Sequence, residues 1–152
     1  MTVKVINGLI ELAVAVGGQL GPTEWMVVDQ ERVNEFARAT EDRQWIHVDP
    51  ARASDGPFGG TIAHGLLTLS LLPHLMHQLY RVDGVTMAIN YGYDKVRFIT
   101  PVRVGAKLRA RATIDTVADV PGGVQATVAA ILEIEGSEKP AATIESIVRY
   151  VQ

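Results

Sequence analysis

Two side chains that could exchange protons, Asp42 and His47, lie five positions apart in the stretch Phe36–Asp49. Near neutral pH an ordinary aspartate is a carboxylate and an ordinary histidine is mostly neutral. The pair could therefore hold one water molecule and exchange protons with it. Five positions separate the side chains by about 140° on a helix, so they converge only if the chain turns between them. Spacing alone leaves a second interpretation open, in which Asp42 is a solvated turn residue and His47 a partly buried structural histidine.

The stretch Phe58–Gly65 leads from a glycine loop into a long apolar segment. The first amides of a helix have no partner within it and carry partial positive charge, so they could stabilise a developing oxyanion. Gly65 would let a ligand approach the backbone closely. The loop has neither the GxGxxG nor the GK[ST] pattern of nucleotide-binding loops, and the pair Gly59-Gly60 is also common in plain loops.

The remaining candidates carry weaker signals. His64, His74 and His77 are spaced by ten and three positions without an HExxH motif, so no metal site is predicted, and His64 is interpreted as a structural hydrogen-bonding residue. Lys95 and Arg97 belong to a locally basic strand. This strand is either a phosphate contact or an ordinary solvated face of a sheet.

Composition restricts the class of protein. The chain has 152 residues, 47% of them hydrophobic and 20% charged, which is typical of one globular domain spanning residues 1–152. The absence of cysteine excludes disulfides, thiolate catalysis and cysteine-ligated zinc. A net charge of −3 indicates no global attraction to nucleic acid or to anionic membranes. The start of the chain has no signal-peptide pattern and Leu66–Leu79 is too short and polar to span a bilayer, so a cytoplasmic location is expected.

The elements that must position these residues change in character along the chain. The first half reads as helical, and its strongest segment, Ile62–Tyr80, is apolar on most of its circumference, which predicts a buried helix kinked at Pro73. The second half is rich in β-branched residues and divides into consecutive strands with short connections, which favours an antiparallel meander. The predicted strands are Val85–Tyr93, Lys95–Phe98, Lys107–Val117, Val124–Ile134 and Ala142–Val151. Apolar and polar residues alternate along Val124–Leu132, the period of a half-buried antiparallel strand. The predicted class is α+β, with the sheet covering the long helix.

Two aspartates in the first half are predicted to cap helices. Asp29 precedes a segment with helical spacing of apolar residues, and Asp49 precedes Pro50, which is favoured at the first position of a helix.

Three stretches, in this order, resemble the MaoC-like dehydratases, the family that includes the (R)-specific enoyl-CoA hydratases. They are FARATEDRQWIHVDP (36–50), FGGTIAHG (58–65) and KVRFITPV (95–102). The first matches the hydratase signature of the family, and the pair Gln44-Trp45 is common in its NodN-like branch. The resemblance covers nearly the whole chain.

The resemblance implies a hot-dog fold, an antiparallel sheet wrapped around a long central helix, usually as a homodimer. It also implies reversible hydration of trans-2-enoyl-CoA to (R)-3-hydroxyacyl-CoA in fatty acid metabolism, with a coenzyme A thioester as substrate and without metal or redox cofactor. Asp42 and His47 match the catalytic pair of the family, Gln44 would help to orient the water, and the Gly65 amide matches the oxyanion donor. The further candidates for substrate binding are Gly60, Ile62, Ala63, His64, Lys95 and Arg97.

The chain departs from the family signature at Glu41, where the family usually has glycine. If that position requires a positive φ, glutamate is strained there. This departure keeps open the alternative of a non-catalytic acyl-CoA-binding subunit. A thioesterase is a weaker alternative, because such hot-dog enzymes often place a carboxylate on the central helix and residues 61–80 contain neither Asp nor Glu.

Overall fold

The computed structural model describes residues 2–152. Its elements, in chain order, are β1 (Lys4–Asn7), α1 (Gly8–Val14), β2 (Gln19–Leu20), β3 (Met26–Val27), α2 (Gln30–Thr40), α3 (Trp45–Val48), α4 (Pro50–Ser54), α5 (Gly65–Ser70), α6 (Leu72–Leu79), β4 (Tyr80–Asp83), β5 (Met87–Phe98), β6 (Lys107–Val120), β7 (Gly123–Ile134) and β8 (Ala142–Val151). Across this part of the chain, no helix combines the length and apolar character that crossing a membrane would require. The predicted α+β class is confirmed.

The main sheet is antiparallel in the order β2-β6-β7-β8-β5, with β3 also paired to β6. The predicted meander is correct for β6, β7 and β8, which are hydrogen-bonded in sequence order. It is wrong for β5. This strand does not pair with β6, its successor in sequence, but with β8, and so it forms the edge of the sheet that lies away from β6. The connection 99–106 is long enough to cross between the edges, whereas β6 and β7 are joined by a tight two-residue turn. Strands β1 and β4 form a separate parallel pair that was not predicted.

The core lies between the sheet and the helices α5 and α6. Small side chains on the inner face of the sheet let the helices approach closely, and leucines of α5, of α6 and of the break between them fill the space. The alanines are Ala110, Ala112, Ala126, Ala130 and Ala142, and the leucines are Leu67, Leu71, Leu72, Leu75 and Leu79. The alternation predicted for Val124–Leu132 is confirmed, because every second residue of this stretch is buried.

The predicted central helix is shorter than expected and is divided in two. It begins at Gly65 instead of Ile62, and it breaks at Leu71, between α5 and α6. Pro73 lies in the first turn of α6, where a missing N–H costs least, which explains why the predicted kink takes the form of a new helix start. Residues before Gly65 stay extended because Ile62 and Ala63 donate their amides to Ile46 and Val102.

A single edge strand, β5, covers the region where two strands were predicted, Val85–Tyr93 and Lys95–Phe98. Its pairing with β8 shifts register between Asn90 and Gly92 and again between Tyr93 and Lys95. These irregularities interrupt the period of the sequence without ending the strand, which is why the pattern reads as two pieces. Most of β5 is exposed in this chain.

Candidate active site

The turn that follows α2 places Asp42. Asp29 caps this helix by accepting the Arg32 amide at 2.9 Å, as its sequence predicts. The helix ends at Thr40, and Glu41 follows in the left-handed region with φ of 64°. The positive φ anticipated for this position is therefore present, and glutamate adopts it at a cost of about 1 kcal/mol relative to glycine. The αL residue reverses the chain direction, which supplies the turn that Asp42 and His47 need.

His47 is held in a one-turn helix, α3, which the sequence did not reveal, directly before the expected helix α4. Its side chain is only 7% exposed, and its Nδ1 lies 2.7 Å from the Ile62 carbonyl oxygen. Since a carbonyl only accepts, Nδ1 must carry the hydrogen, and Nε2 of the neutral ring is then a free acceptor. Asp49 caps α4 by accepting the Arg52 amide at 3.1 Å, so its predicted capping role is confirmed.

The surroundings of His47 favour its neutral form. Burial lowers the pKa of His47 below its ordinary 6.5, and this effect outweighs the hydrogen bond to Ile62, which raises the pKa. The neighbouring His64 lowers this pKa further, while the Asp42 carboxylate raises it. At pH 7 the ring is therefore mostly neutral and Nε2 can accept a proton.

Asp42 and His47 converge, and His64 joins them. One polar side-chain atom of each of the three residues lies within 4.8 Å of the other two. The His47 and His64 rings stack with centroids 3.8 Å apart and planes 23° apart. The Nε2 of His64 donates to the Asp42 carbonyl oxygen at 2.9 Å, and Phe36 packs on the His64 ring at 4.9 Å. Asp42 itself is exposed, so its carboxylate faces solvent and remains open to a ligand.

This cluster has the donor types of a metal site, but its geometry does not fit one. Zinc lies about 2.0–2.1 Å from each imidazole nitrogen that binds it, along lone pairs in the ring planes. The two rings are stacked nearly parallel, so their lone pairs do not point at one common position. In addition, Nδ1 of His47 and Nε2 of His64 already donate to backbone carbonyls. The arrangement can hold and move a proton, and it does not favour a shared ion.

Gly65 begins α5 beside a cavity of about 300 Å³ that Ile62, Ala63 and Phe98 also line. Among the described residues, the Gly65 amide has no hydrogen-bond acceptor, as expected for the first residue of a helix. A Cβ on Gly65 would lie 3.0 Å from the Phe98 ring, so a side chain at this position would have to push that ring aside. Ile62 connects the two parts of the site, because its carbonyl holds His47 and its side chain lines the cavity.

The other predicted residues lie at varying distances from this centre. The Gln44 side chain is exposed and forms no hydrogen bond with the described residues, although its carbonyl accepts the His47 amide at 3.0 Å. Gly60 lies against Arg103, whose guanidinium donates to the Gly59 carbonyl at 2.7 Å. Lys95 and Arg97 are exposed on β5, and neither lines the cavity beside Gly65.

One supporting residue, Gln30, was missed by sequence reasoning. Its amide donates to the His47 carbonyl at 2.8 Å and accepts from the Thr61 hydroxyl at 2.7 Å. It thus ties α2 and α3 to the loop before α5. No sequence signal marks this role, because a glutamine in the first turn of a helix is usually solvated.

Comparison with known proteins identifies relatives over almost the entire length of the chain. A family model described as "MaoC like domain" matches residues 11–136. The chain is 55% identical over 149 residues to a 3-hydroxyacyl-thioester dehydratase Z of Mycobacterium tuberculosis, covering 97% of this chain and 99% of the relative. It is 43% identical over 138 residues to nodulation protein N of Rhizobium meliloti, covering 89% and 86%. The solved structure of an (R)-hydratase from A. caviae, 28% identical, superimposes with a TM-score of 0.70 and covers 88% of this chain and 94% of that one.

Proposed function

The chain belongs to the MaoC-like dehydratase family, in its NodN-like branch, and on that premise we propose that it is an (R)-specific enoyl-CoA hydratase. Family membership and the dehydratase relative make it a hydro-lyase with the hot-dog fold. The proposal adds the substrate, trans-2-enoyl-CoA, the (R) configuration of the 3-hydroxyacyl product and the Asp42–His47 mechanism. The observation that carries it is the convergence of the Asp42 carboxylate with a buried, neutral His47 whose Nε2 is free.

In this mechanism one water molecule lies between Asp42 and His47 and donates a hydrogen to each. Its oxygen keeps a lone pair free and attacks C3 of the enoyl thioester while one of the two residues takes a proton. Neither the aspartate carboxylate nor Nε2 of the neutral imidazole carries a proton that it could donate to the substrate. The proton that reaches C2 is therefore the one that the water has lost. Because hydroxyl and proton come from one water on one face, the addition is syn.

The Gly65 amide is the proposed donor to the thioester carbonyl, where negative charge develops in the transition state. The observation in favour is that this amide has no acceptor among the described residues and lies beside a cavity. In the proposed complex the acyl chain runs from the cavity beside Gly65 along α5 and α6. A second cavity of about 320 Å³ lies beside α6, lined by Leu72, Met76 and Val148 among others. Lys95 and Arg97 remain candidates for contacts with the phosphates of coenzyme A.

The double role of Gly65 leads to a prediction. Gly65→Ala should lower kcat and also cost stability, because the new methyl group meets the Phe98 ring at 3.0 Å. In the background Phe98→Ala the packing conflict disappears, so the substitution should cost little stability there while still lowering kcat. Thermal melting and crotonyl-CoA hydration of the four proteins separate the two effects. Full recovery of kcat in the Phe98→Ala background would assign Gly65 to packing alone.

The proposed assembly is a homodimer formed through β5. This strand ends the sheet and pairs only with β8 among the described strands. It exposes large apolar side chains that are each 39% to 54% accessible: Met87, Ile89, Tyr91, Tyr93 and Phe98. An unprotected apolar edge strand is favourable for pairing with a second copy of the same strand.

The dimer is tested by the solution mass of Ile89→Lys, measured by light scattering. The matched control is Ile131→Lys, because Ile131 is equally exposed at 43% but lies on β7, inside the sheet order. We expect the wild type and the control to have the mass of two chains and the Ile89 variant that of one. A monomeric wild type would contradict the proposal.

The proposed activity is tested by hydration of crotonyl-CoA, with chiral analysis of the 3-hydroxybutyryl-CoA formed. We expect the (R) product, and NMR of the product formed in D₂O should show syn addition. Formation of the (S) product would contradict the stereochemical proposal. If the folded protein binds crotonyl-CoA and octenoyl-CoA without converting either, the acyl-CoA-binding alternative, which the strained Glu41 keeps open, replaces the hydratase.

A further inference from the structure

We infer that His64 is a positioning residue that holds the backbone of Asp42 and the ring of His47 in register with each other. The inference rests on the proposed function, since it concerns the two residues assigned to proton transfer. His64 lies directly before Gly65 and is 2% exposed, so it is not available to solvent. It donates a hydrogen bond to Asp42 and stacks on the ring of His47, so it contacts both members of the pair.

The contact with Asp42 is a hydrogen bond to a backbone that has little other support. The Asp42 carbonyl accepts the His64 Nε2–H at 2.9 Å, whereas the Asp42 amide reaches the Thr40 hydroxyl only at 3.5 Å. The preceding residue, Glu41, is in the left-handed conformation that non-glycine residues adopt at a cost. A bond from a buried side chain is therefore well placed to keep this turn, and with it the carboxylate, in one orientation.

The contact with His47 fixes a ring that one hydrogen bond alone would leave free to tilt. The bond from Nδ1 to Ile62 sets the tautomer of His47, and the stacked His64 ring at 3.8 Å sets its plane. Proton transfer requires Nε2 to stay aimed at the water, and displacements near 1 Å at a catalytic group are costly. Phe36 lies beside the His64 ring, with the ring centroids 4.9 Å apart and the planes tilted by 56°, and it takes no part in the stack with His47.

The chemistry of His64 indicates that its hydrogen bond is used. Its Nδ1 is buried without a partner in the described structure, and an unsatisfied buried polar atom costs about 1–3 kcal/mol. A phenylalanine would pack against His47 and Phe36 without that cost. The imidazole is therefore better explained by its Nε2 donor to Asp42 than by packing.

Two substitutions separate the two contacts. His64→Phe keeps a stacked ring and removes the donor, while His64→Gln places an amide near the position of Nε2 and removes the stack. We expect kcat for crotonyl-CoA hydration to fall roughly tenfold to a hundredfold in each variant, with a much smaller change in KM. The acid limb of the pH profile should move upward in His64→Phe, because His64 contributes to lowering the pKa of His47.

The matched control is Phe36→Leu, which alters the packing behind His64 without touching either contact with the pair. It should lower the melting temperature while leaving kcat and the pH profile near those of the wild type. Wild-type kcat in His64→Phe, or an equal loss of kcat in Phe36→Leu, would overturn the positioning role.

A measurement without substrate keeps this inference distinct from the proposed function. Nitrogen NMR of the imidazoles should find the hydrogen of His64 on Nε2 and that of His47 on Nδ1. In His64→Gln the His47 tautomer should persist, because Ile62 fixes it. A His64 with its hydrogen on Nδ1 would overturn the inference even in an active enzyme. An inactive wild type with the expected tautomers would instead reject the hydratase proposal and leave the contacts of His64 established.

Discussion

The three-stranded meander β6–β8 and the segment 41–65 differ in how favourable their local backbone and side-chain arrangements are. In the meander, side chains alternate between core and solvent along β7, along most of β8 and along β6 as far as Ile114, and most backbone groups are paired across strands. The segment 41–65 contains two helices of four and five residues, a glutamate with positive φ and a buried histidine nitrogen without a partner. The local structure of the meander is therefore mostly favourable, whereas that of the segment 41–65 contains several unfavourable features.

This difference indicates that the residues that stabilise the fold and the residues proposed to act in the reaction lie in different regions. The sheet and the leucines of α5 and α6 bury the apolar surface that folds the domain. That stability allows the segment 41–65 to hold Asp42, His47 and His64 in positions that their local sequence alone would not favour. Substitutions in the segment should therefore change activity more than stability, and substitutions in the meander should do the reverse.

The largest expected effect is in the segment, from His47→Gln. The variant loses the Nε2 acceptor, so hydration should slow by about 10² to 10⁴, the usual weight of general acid–base catalysis. The variant should also lose the part of the pH dependence of stability that comes from the protonation of His47. Burial lowers the pKa of His47 in the folded state, so between pH 6.5 and that lower value the unfolded chain binds more protons, and wild-type stability falls as the pH falls.

Urea unfolding at pH 7 and pH 5, with kcat measured in parallel, checks both statements. The fall in stability between the two pH values should be smaller in His47→Gln than in the wild type. A variant with wild-type kcat, or with a steeper loss of stability in acid, would place the chemistry elsewhere.

The next largest effect is in the meander, from Leu132→Ala. Leu132 is fully buried in the hydrophobic core, so the substitution should cost about 2–5 kcal/mol in the free energy of unfolding. The kcat of the folded protein should stay near that of the wild type. Ile131→Ala is the matched control, because Ile131 is next to Leu132 on β7 but its side chain points outward and is 43% exposed. Equal destabilisation by both variants in urea would argue against the assigned faces of β7.

A smaller effect of opposite sign is expected from Glu41→Gly. Glycine adopts a φ of 64° without steric cost, so unfolding should require about 1 kcal/mol more free energy, or roughly 2–4 °C in melting temperature. Glu41→Ala should bring no such gain, because alanine has the same conformational restriction. If calorimetry finds that both variants stabilise the protein equally, the charge of Glu41 and not its backbone is the cause.

The sequence predicted the parts of the fold that local rules determine. The alternation of Val124–Leu132, the caps at Asp29 and Asp49 and the turn signals between β6, β7 and β8 all correspond to the structure. The position of β5 beside β8 and the parallel pairing of β1 with β4 were not predictable in this way. Those pairings join residues far apart in sequence, and no periodicity within a strand specifies its partner.

At the site, residue types and spacing suggested Asp42 and His47 but left their convergence open. The positive φ at Glu41 and the added helix α3 are what bring them together. The contacts of His64 with Asp42 and His47, and those of Gln30 with His47 and Thr61, are side-chain contacts across 17 to 31 positions of sequence. Such contacts depend on the finished fold, so motif and spacing could not reveal them.

The most direct test compares Asp42→Asn with Asp49→Asn in crotonyl-CoA hydration. Both remove one carboxylate from the same segment, but Asp49 caps α4, where asparagine caps about as well. The account predicts a rate lower by about 10² to 10⁴ in Asp42→Asn and a near-normal rate in Asp49→Asn, with similar melting temperatures. Near-normal hydration by Asp42→Asn would contradict the central claim that Asp42 and His47 act together on the water.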